Sequence, residues 1–293
     1  MPLPSSIAAE FPFEENHHTL GSGLRIHFVD EGGREKFPTV FLHGNPTWSF
    51  FYRKLILSLK NQFRCIAPDH MGCGLSDKPT SSHFSYDLKG HSTNLLELIN
   101  SLNIEKFNLI VHDWGGAIGL TALRYELSRI NKLVLLNTAS FVSKDIPKRI
   151  RLCRTPILGE FFVRQFNGFA WPATWMATNK GLSHAAKRGF LYPYSDWNSR
   201  IAIWKFIRDI PIGDNHPTTQ ILRETEDSLS GLSRIPTMAC WGMKDFCFHP
   251  GFLEQWKKRI PNLISHTLMD AGHYLLEDDF ENCQKTIGSF LFR

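Results

Sequence analysis

Ten residues, Phe107-Asn108-Leu109-Ile110-Val111-His112-Asp113-Trp114-Gly115-Gly116, restrict this chain more than any others. An apolar run breaks without a linker into a helix-like run through Ala117-Ile118-Gly119-Leu120. A strand that turns so sharply into a helix lifts the side chain at the bend above the carboxyl end of a parallel sheet, the geometry of a nucleophile elbow. The usual signature of that elbow is Gly-x-Ser-x-Gly. Here Gly115 keeps the second glycine, Val111 replaces the first, and Asp113 stands at the serine position. A serine suits attack on acyl carbon, but its attack on saturated carbon leaves an ether that water does not readily open. A carboxylate leaves an ester instead. Water delivered by a histidine can hydrolyse that ester at the enzyme's own carbonyl carbon, so an aspartate can turn over on saturated carbon centres.

Short strand-like runs lie at residues 24–30, 38–42, 63–67, 107–112, 132–137, 237–241 and 264–269, with helix-like stretches at 49–60, 87–102, 116–127, 253–259 and 278–290. This alternation predicts an α/β fold, a mainly parallel sheet flanked by helices, with ligands bound beyond the carboxyl ends of the strands. Between residues 141 and 232 the alternation gives way to helix-like, aromatic sequence containing Phe161, Phe162, Phe166, Phe169, Trp171, Trp175, Trp197, Trp204 and Phe206. We therefore expect a main domain built from residues 1–140 and 233–293, and a helical cap, 141–232, closing an apolar pocket above Asp113. Most of the cap aromatics are expected to pack it onto the main domain, and a few to line the pocket. With 293 residues the chain is long enough for both parts.

The first twenty residues lack the basic start and apolar core of a secretory signal, and no apolar run reaches membrane-spanning length. Six cysteines are scattered without a C-x-x-C pair, which fits reduced thiols and a cytoplasmic location. The net charge is +5, and its densest stretch is Lys144, Lys148, Arg149, Arg151 and Arg154. That run reads as a solvated helix face, with an anionic partner or a membrane surface as the alternative. No nucleic-acid module is present. The glycine-rich stretch 69–79 lacks both the P-loop ending and the dinucleotide spacing, so it is read as a loop-shaping element. No metal-ligand spacing is visible, and the chemistry envisaged needs no cofactor.

His273, in a Gly-His step directly after the last strand-like run, completes the order nucleophile, acid, histidine and is the candidate general base. Asp245, four residues past a strand end, is the favoured acid to orient it. Asp270, Glu277 and Asp278 are nearer in sequence but read as turn and helix-start residues. Asn137 is an amide and cannot stabilise an imidazolium by charge. His43-Gly44-Asn45-Pro46 ends a strand at the usual place of an oxyanion loop. Asn45 adds a side-chain amide there and Trp114 an indole N–H. Two such donors converging on an apolar pocket suit a weakly basic leaving anion, such as halide or carboxylate.

Over nearly its full length the chain resembles the haloalkane dehalogenases of the α/β-hydrolase superfamily. The matching pieces are His43-Gly44-Asn45-Pro46-Thr47-Trp48, residues 69–79, Val111-His112-Asp113-Trp114-Gly115-Gly116, Trp241-Gly242-Met243-Lys244-Asp245 and Gly272-His273. The resemblance implies Asp113 as nucleophile, His273 as base, Asp245 as its acid, and Asn45 with Trp114 as a halide clamp. It also implies hydrolysis of a carbon–halogen bond in a small apolar substrate, giving alcohol and halide. Leu135-Leu136-Asn137-Thr138-Ala139-Ser140-Phe141, Phe166-Asn167-Gly168-Phe169-Ala170 and Arg208-Asp209-Ile210-Pro211 look similar to the β-lactone decarboxylases of bacterial long-chain olefin synthesis as well. Dehalogenation is the first expectation and β-lactone decarboxylation the alternative. An epoxide hydrolase using Tyr192 and Tyr194 as cap acids, and a catalytically silent ligand receptor, are further alternatives. A homo-oligomer stays open.

Overall fold

In the computed structural model, which describes residues 3–293, the strands are Asn16–Thr19 (β1), Arg25–Glu31 (β2), Pro38–Leu42 (β3), Arg64–Pro68 (β4), Phe107–Asp113 (β5), Ile130–Thr138 (β6), Thr237–Gly242 (β7) and Ile264–Leu268 (β8). They form one sheet in the order β1-β2-β4-β3-β5-β6-β7-β8. From β4 to β8 every neighbouring pair is parallel, while β1 and β2 add an antiparallel edge. The mainly parallel sheet expected from the alternation is the one observed. β1 is an addition. Its sequence, Asn16-His17-His18-Thr19, has no apolar residue, and it pairs with β2 along its whole length.

Every residue of β5 is buried, as a central strand covered on both faces requires. Phe107, Leu109 and Val111 join one core cluster with Val40, Leu42, Leu133 and Leu135, whereas Ile110 points to the other with Phe41, Val134, Leu136 and Cys240. This is the two-residue period of a strand read at full burial. Asn108, a buried polar residue within this run, donates to Thr39 Oγ1 at 3.2 Å and accepts from Asn131 Nδ2 at 2.9 Å.

The helix that follows β5, Trp114–Ala122, lies unusually close to the sheet because glycines face it. A Cβ on Gly115 would stand 2.0 Å from the Leu42 carbonyl oxygen, and one on Gly116 would stand 2.0 Å from Thr138 Oγ1. Between β6 and β7 the chain contains helices and no strand, including Lys148–Cys153, Leu158–Gln165, Ala170–Met176, His184–Leu191, Ile201–Asp209 and Pro217–Ser228. No helix among the described residues is long and apolar enough to cross a membrane. All six cysteines are free.

Two glycine substitutions should act with opposite signs. Gly115→Ala drives a methyl group into backbone that cannot move aside, and should destabilise the chain by about 3 kcal/mol. Gly288→Ala, in the helix Phe280–Phe292, meets only Phe292 at 3.8 Å and should stabilise it by about 1 kcal/mol through helix propensity. Urea denaturation midpoints of the two variants check both signs.

Candidate active site

Asp113 is the last residue of β5 and precedes the helix Trp114–Ala122 with φ 52° and ψ −124°. A positive φ is unfavourable for a residue with a Cβ, and the bend holds because both flanking elements are fixed by packing. Thr138 Oγ1 donates to the Asp113 carbonyl oxygen at 2.6 Å, tying the bend to the end of β6. Gly44 leaves room for the carboxylate, since a Cβ there would lie 2.0 Å from Asp113 Oδ1. The backbone N–H of Asn45 then donates to that oxygen at 2.6 Å.

His273 lies in the loop after β8, with Nε2 3.8 Å from Asp113 Oδ2. Its Nδ1–H donates to Asp245 Oδ2 at 2.7 Å. His112, next to the elbow on β5, donates from Nε2 to the His273 carbonyl oxygen at 2.9 Å, and Phe248 stacks on the His273 ring at 5.8 Å. The imidazole is therefore held by its ring, its backbone and one of its nitrogens. Asp245 accepts further bonds from the Cys247 N–H at 2.7 Å and from Asn137 Nδ2 at 3.0 Å.

Asn137 is the site residue whose part is not visible from sequence. Its amide also donates to the Gly242 carbonyl oxygen at 3.0 Å and accepts from the Gly242 N–H at 2.8 Å, so it joins the ends of β6 and β7 while orienting Asp245. It cannot replace an acid, as its chemistry implies, but it positions one. Its signals in the sequence, an Asn closing an apolar strand, are too common to single it out. The rival acids are engaged elsewhere. Asp270 pairs with Lys244 at 2.8 Å, Glu277 with Arg53 and Lys54, and Asp278 accepts from Gly272, Thr178, Asn179 and Lys180. Asp69, in the glycine-rich stretch, is likewise buried and accepts from Ser49, Leu75 and His27, which is loop-shaping work.

Burial raises the Asp113 carboxyl above its ordinary pKa, although the charge of His273 and the Asn45 and Trp114 backbone amides pull it down. Burial alone would lower His273. The charge and hydrogen bond of Asp245 and the charge of Asp113 outweigh it, and the imidazole sits above its ordinary value.

These residues open onto a cavity of about 380 Å³. Asn45, Asp113, Trp114 and His273 supply its polar end, and Ala117, Phe248 and Phe252 continue the wall from the sheet side. The opposite wall comes from the segment between β6 and β7, through Ile150, Phe169, Met176, Ile207 and Leu222 among others. Asn45 Nδ2 donates to the Ile203 carbonyl oxygen at 3.3 Å, which leaves its second hydrogen free, while Oδ1 is buried without a partner. Trp114 packs against Phe206 at 5.2 Å with its ring bordering the cavity. All five expected residues thus meet at one place. Tyr192 and Tyr194 do not line the cavity, and the Tyr194 hydroxyl donates to the Thr47 carbonyl oxygen at 3.0 Å, so neither is placed to protonate an epoxide. The aromatics of residues 141–232 depart from expectation in another way. Phe162 and Phe169 line the cavity and Phe206 and Trp204 are buried, but Phe161, Phe166, Trp171 and Trp175 are exposed.

A family model described as the alpha/beta hydrolase fold matches residues 38–280. A cis-3-alkyl-4-alkyloxetan-2-one decarboxylase of Shewanella oneidensis is 40% identical over 273 residues, covering 91% of this chain and 85% of that protein. A protein of Mycobacterium tuberculosis named haloalkane dehalogenase 2 is 29% identical over 277 residues, covering 92% of this chain and 91% of its own. Among solved structures, a haloalkane dehalogenase from Agrobacterium tumefaciens superposes with a TM-score of 0.85 at 25% identity, covering 96% of each chain. The matched span takes in the sheet from β3 to β8, the elbow and the loops that carry Asp245 and His273, and the chain belongs to the α/β-hydrolase family.

Proposed function

We propose that this chain decarboxylates cis-3-alkyl-4-alkyloxetan-2-ones, β-lactones carrying two alkyl arms, to olefin and carbon dioxide. The observation that carries this reading is 40% identity to a decarboxylase of that name, against 29% to a haloalkane dehalogenase. It reverses the order suggested by the motifs, where dehalogenation came first, because both reactions begin with the same nucleophile and the same anion cradle.

Asp113 attacks the ring carbon that bears the ring oxygen and opens the strained ring. The leaving group is a carboxylate, received by the free amide hydrogen of Asn45 and the Trp114 indole N–H. The bond between this carboxylate and its ring carbon then breaks. Its electron pair becomes the carbon–carbon double bond, carbon dioxide departs, and the bond to Asp113 breaks to restore the free carboxylate. Water and external protons take no part. His273, held above its ordinary pKa by Asp245 and Asp113 against the effect of burial, serves here as a cation that favours ionised Asp113 before attack and after expulsion. The residues 141–232 act as the cap and receive the alkyl arms along their apolar side of the cavity.

Dehalogenation is the second reading, favoured by the structural likeness to a haloalkane dehalogenase and by the 3.8 Å separation of His273 Nε2 and Asp113 Oδ2, which places the imidazole beside the ester that would form. In that reaction neutral His273 activates a water to hydrolyse the ester, and Asn45 with Trp114 holds halide.

Asp113→Asn should reduce both olefin release from a dialkyl β-lactone and halide release from a bromoalkane by about 10⁴-fold or more. Full turnover of the freshly prepared variant, without conversion of the asparagine back to acid, would remove the nucleophile from the scheme.

His273→Gln separates the two reactions. We expect olefin release to persist, lowered about tenfold by loss of the cation, while a bromoalkane leaves a long-lived alkyl-enzyme visible by intact mass. Loss of olefin release with an accumulating lactone adduct would return the native reaction to hydrolysis. The pH profiles should differ too. Decarboxylation falls on the acid side as Asp113 protonates, at a midpoint above the ordinary carboxylate value. Ester hydrolysis also needs neutral His273, and so climbs as pH rises through the raised imidazole pKa.

A further inference from the structure

The helices that form the outer wall of the cavity are apolar on their outer side as well. Ile157 is 81% exposed and Leu158 74%, with Leu152, Phe161 and Phe166 exposed beside them. Ile157 stands at φ 62°, a backbone conformation that a β-branched residue rarely adopts, at the start of the helix Leu158–Gln165. Backbone strain and an uncovered apolar side chain therefore coincide at one tip. Further along, Trp171 and Trp175 stack edge to face at 4.3 Å on the exposed side of the helix Ala170–Met176, whose inner side, Pro172, Ala173 and Met176, lines the cavity. Exposed apolar residues this numerous on one segment mark a surface that something covers.

The charge around the patch says what kind of surface covers it. Between residues 141 and 176 there are six basic residues against two acidic ones, in a chain whose net charge is only +5. One of the acids, Glu160, is paired with Arg164 at 2.5 Å, and the other, Asp145, lies 3.8 Å from His249. Lys148, Arg149 and Arg151 are exposed, and Lys187 Nζ lies 5.6 Å from the Trp171 ring and 5.8 Å from that of Trp175. Apolar tips, a tryptophan pair and a basic fringe are the three components by which a peripheral protein holds an anionic bilayer. The tips enter the acyl boundary, the indoles sit at headgroup level, and the cations meet the lipid phosphates.

We infer that this face docks on an anionic phospholipid bilayer, with the cavity entrance turned towards the membrane. Leu152, Phe162 and Arg149 are exposed in the patch and also line the cavity, so the patch adjoins the cavity where its lining meets solvent. A protein partner seated there would obstruct that entrance, whereas a bilayer is itself the phase into which a dialkyl lactone partitions. The inference deepens the proposed reaction by supplying the route of its substrate, and it can be tested without any turnover.

The full chain should co-sediment with vesicles of phosphatidylglycerol and phosphatidylcholine in equal parts, and not with pure phosphatidylcholine. The tryptophan emission should shift to the blue on binding, and high salt should release the protein. Ile157→Glu with Leu158→Glu removes the tips, and Lys148→Glu with Arg151→Glu inverts the fringe. None of the four residues lines the cavity. Each pair should raise the half-saturating lipid concentration about tenfold or more while leaving the near-UV circular dichroism unchanged. Absence of binding to the anionic vesicles, or binding indifferent to both pairs, overturns the inference. So does a stable dimer of the wild type that either pair dissociates, since the patch would then belong to a second copy of the chain. Vesicle binding without olefin release from a β-lactone would leave the docking standing and count against the reaction alone.

Discussion

An ionised carboxylate inside an apolar cavity is unstable unless its surroundings compensate for lost water, and the groups around Asp113 answer that requirement. Burial pushes the group towards its neutral form, in which it could not serve as the proposed nucleophile. Opposing this are the charge of His273 and two backbone amides, one of them the Asn45 N–H at 2.6 Å. Burial works against the charge of His273 in turn, while Asp245 and Asp113 favour its protonated form and raise its pKa. In their ionised forms the three groups make an alternating row of negative, positive and negative charge, joined by the Asp245–His273 hydrogen bond and the 3.8 Å His273–Asp113 approach. Asp245, at the far end, is satisfied by Asn137 and the Cys247 amide. Removing any member leaves its neighbour uncompensated, the situation in which buried ion pairs matter most.

That row exists only because the sheet brings four loops to one edge. The elbow follows β5, Asn45 follows β3, Asp245 follows β7 and His273 follows β8, all at carboxyl ends of parallel strands. The approach is tight enough that Gly44 and Gly115 have no space for a side-chain carbon. Backbone geometry and charge are thus solved together. The helix could not carry Asp113 to this height if it stood one methyl further from Leu42.

Much of this was legible from the chain itself, and the exceptions have physical reasons. Buried parallel strands are largely apolar, so β3 to β7 stand out, whereas the edge strand β8 is mostly exposed, and β1 is polar and pairs with β2. The elbow, the His43–Pro46 loop, the strand end before Asp245 and the Gly-His step are local features, and the five residues they suggested lie together. Asn137 was visible only as a strand-ending amide, because its work lies in bonds to residues more than a hundred positions away. The aromatics of residues 141–232 could be counted from composition, but their sides could not be assigned, and Phe161, Phe166, Trp171 and Trp175 face outward. Motifs alone do not order the two proposed reactions, for a chemical reason. Halide and carboxylate are both weakly basic anions, and the same cradle suits either.

The division of labour across the cavity has an evolutionary consequence. One wall is assembled from strand ends that are locked by hydrogen bonds and glycine contacts, and the other from a helical segment whose lining residues are mainly apolar. Exchange of Ile150, Met176 or Leu222 for larger or smaller neighbours can reshape the chamber without disturbing a single ion. A lineage built on this plan can therefore try new substrates one side chain at a time, drifting in what it accepts while its reactive centre stays intact.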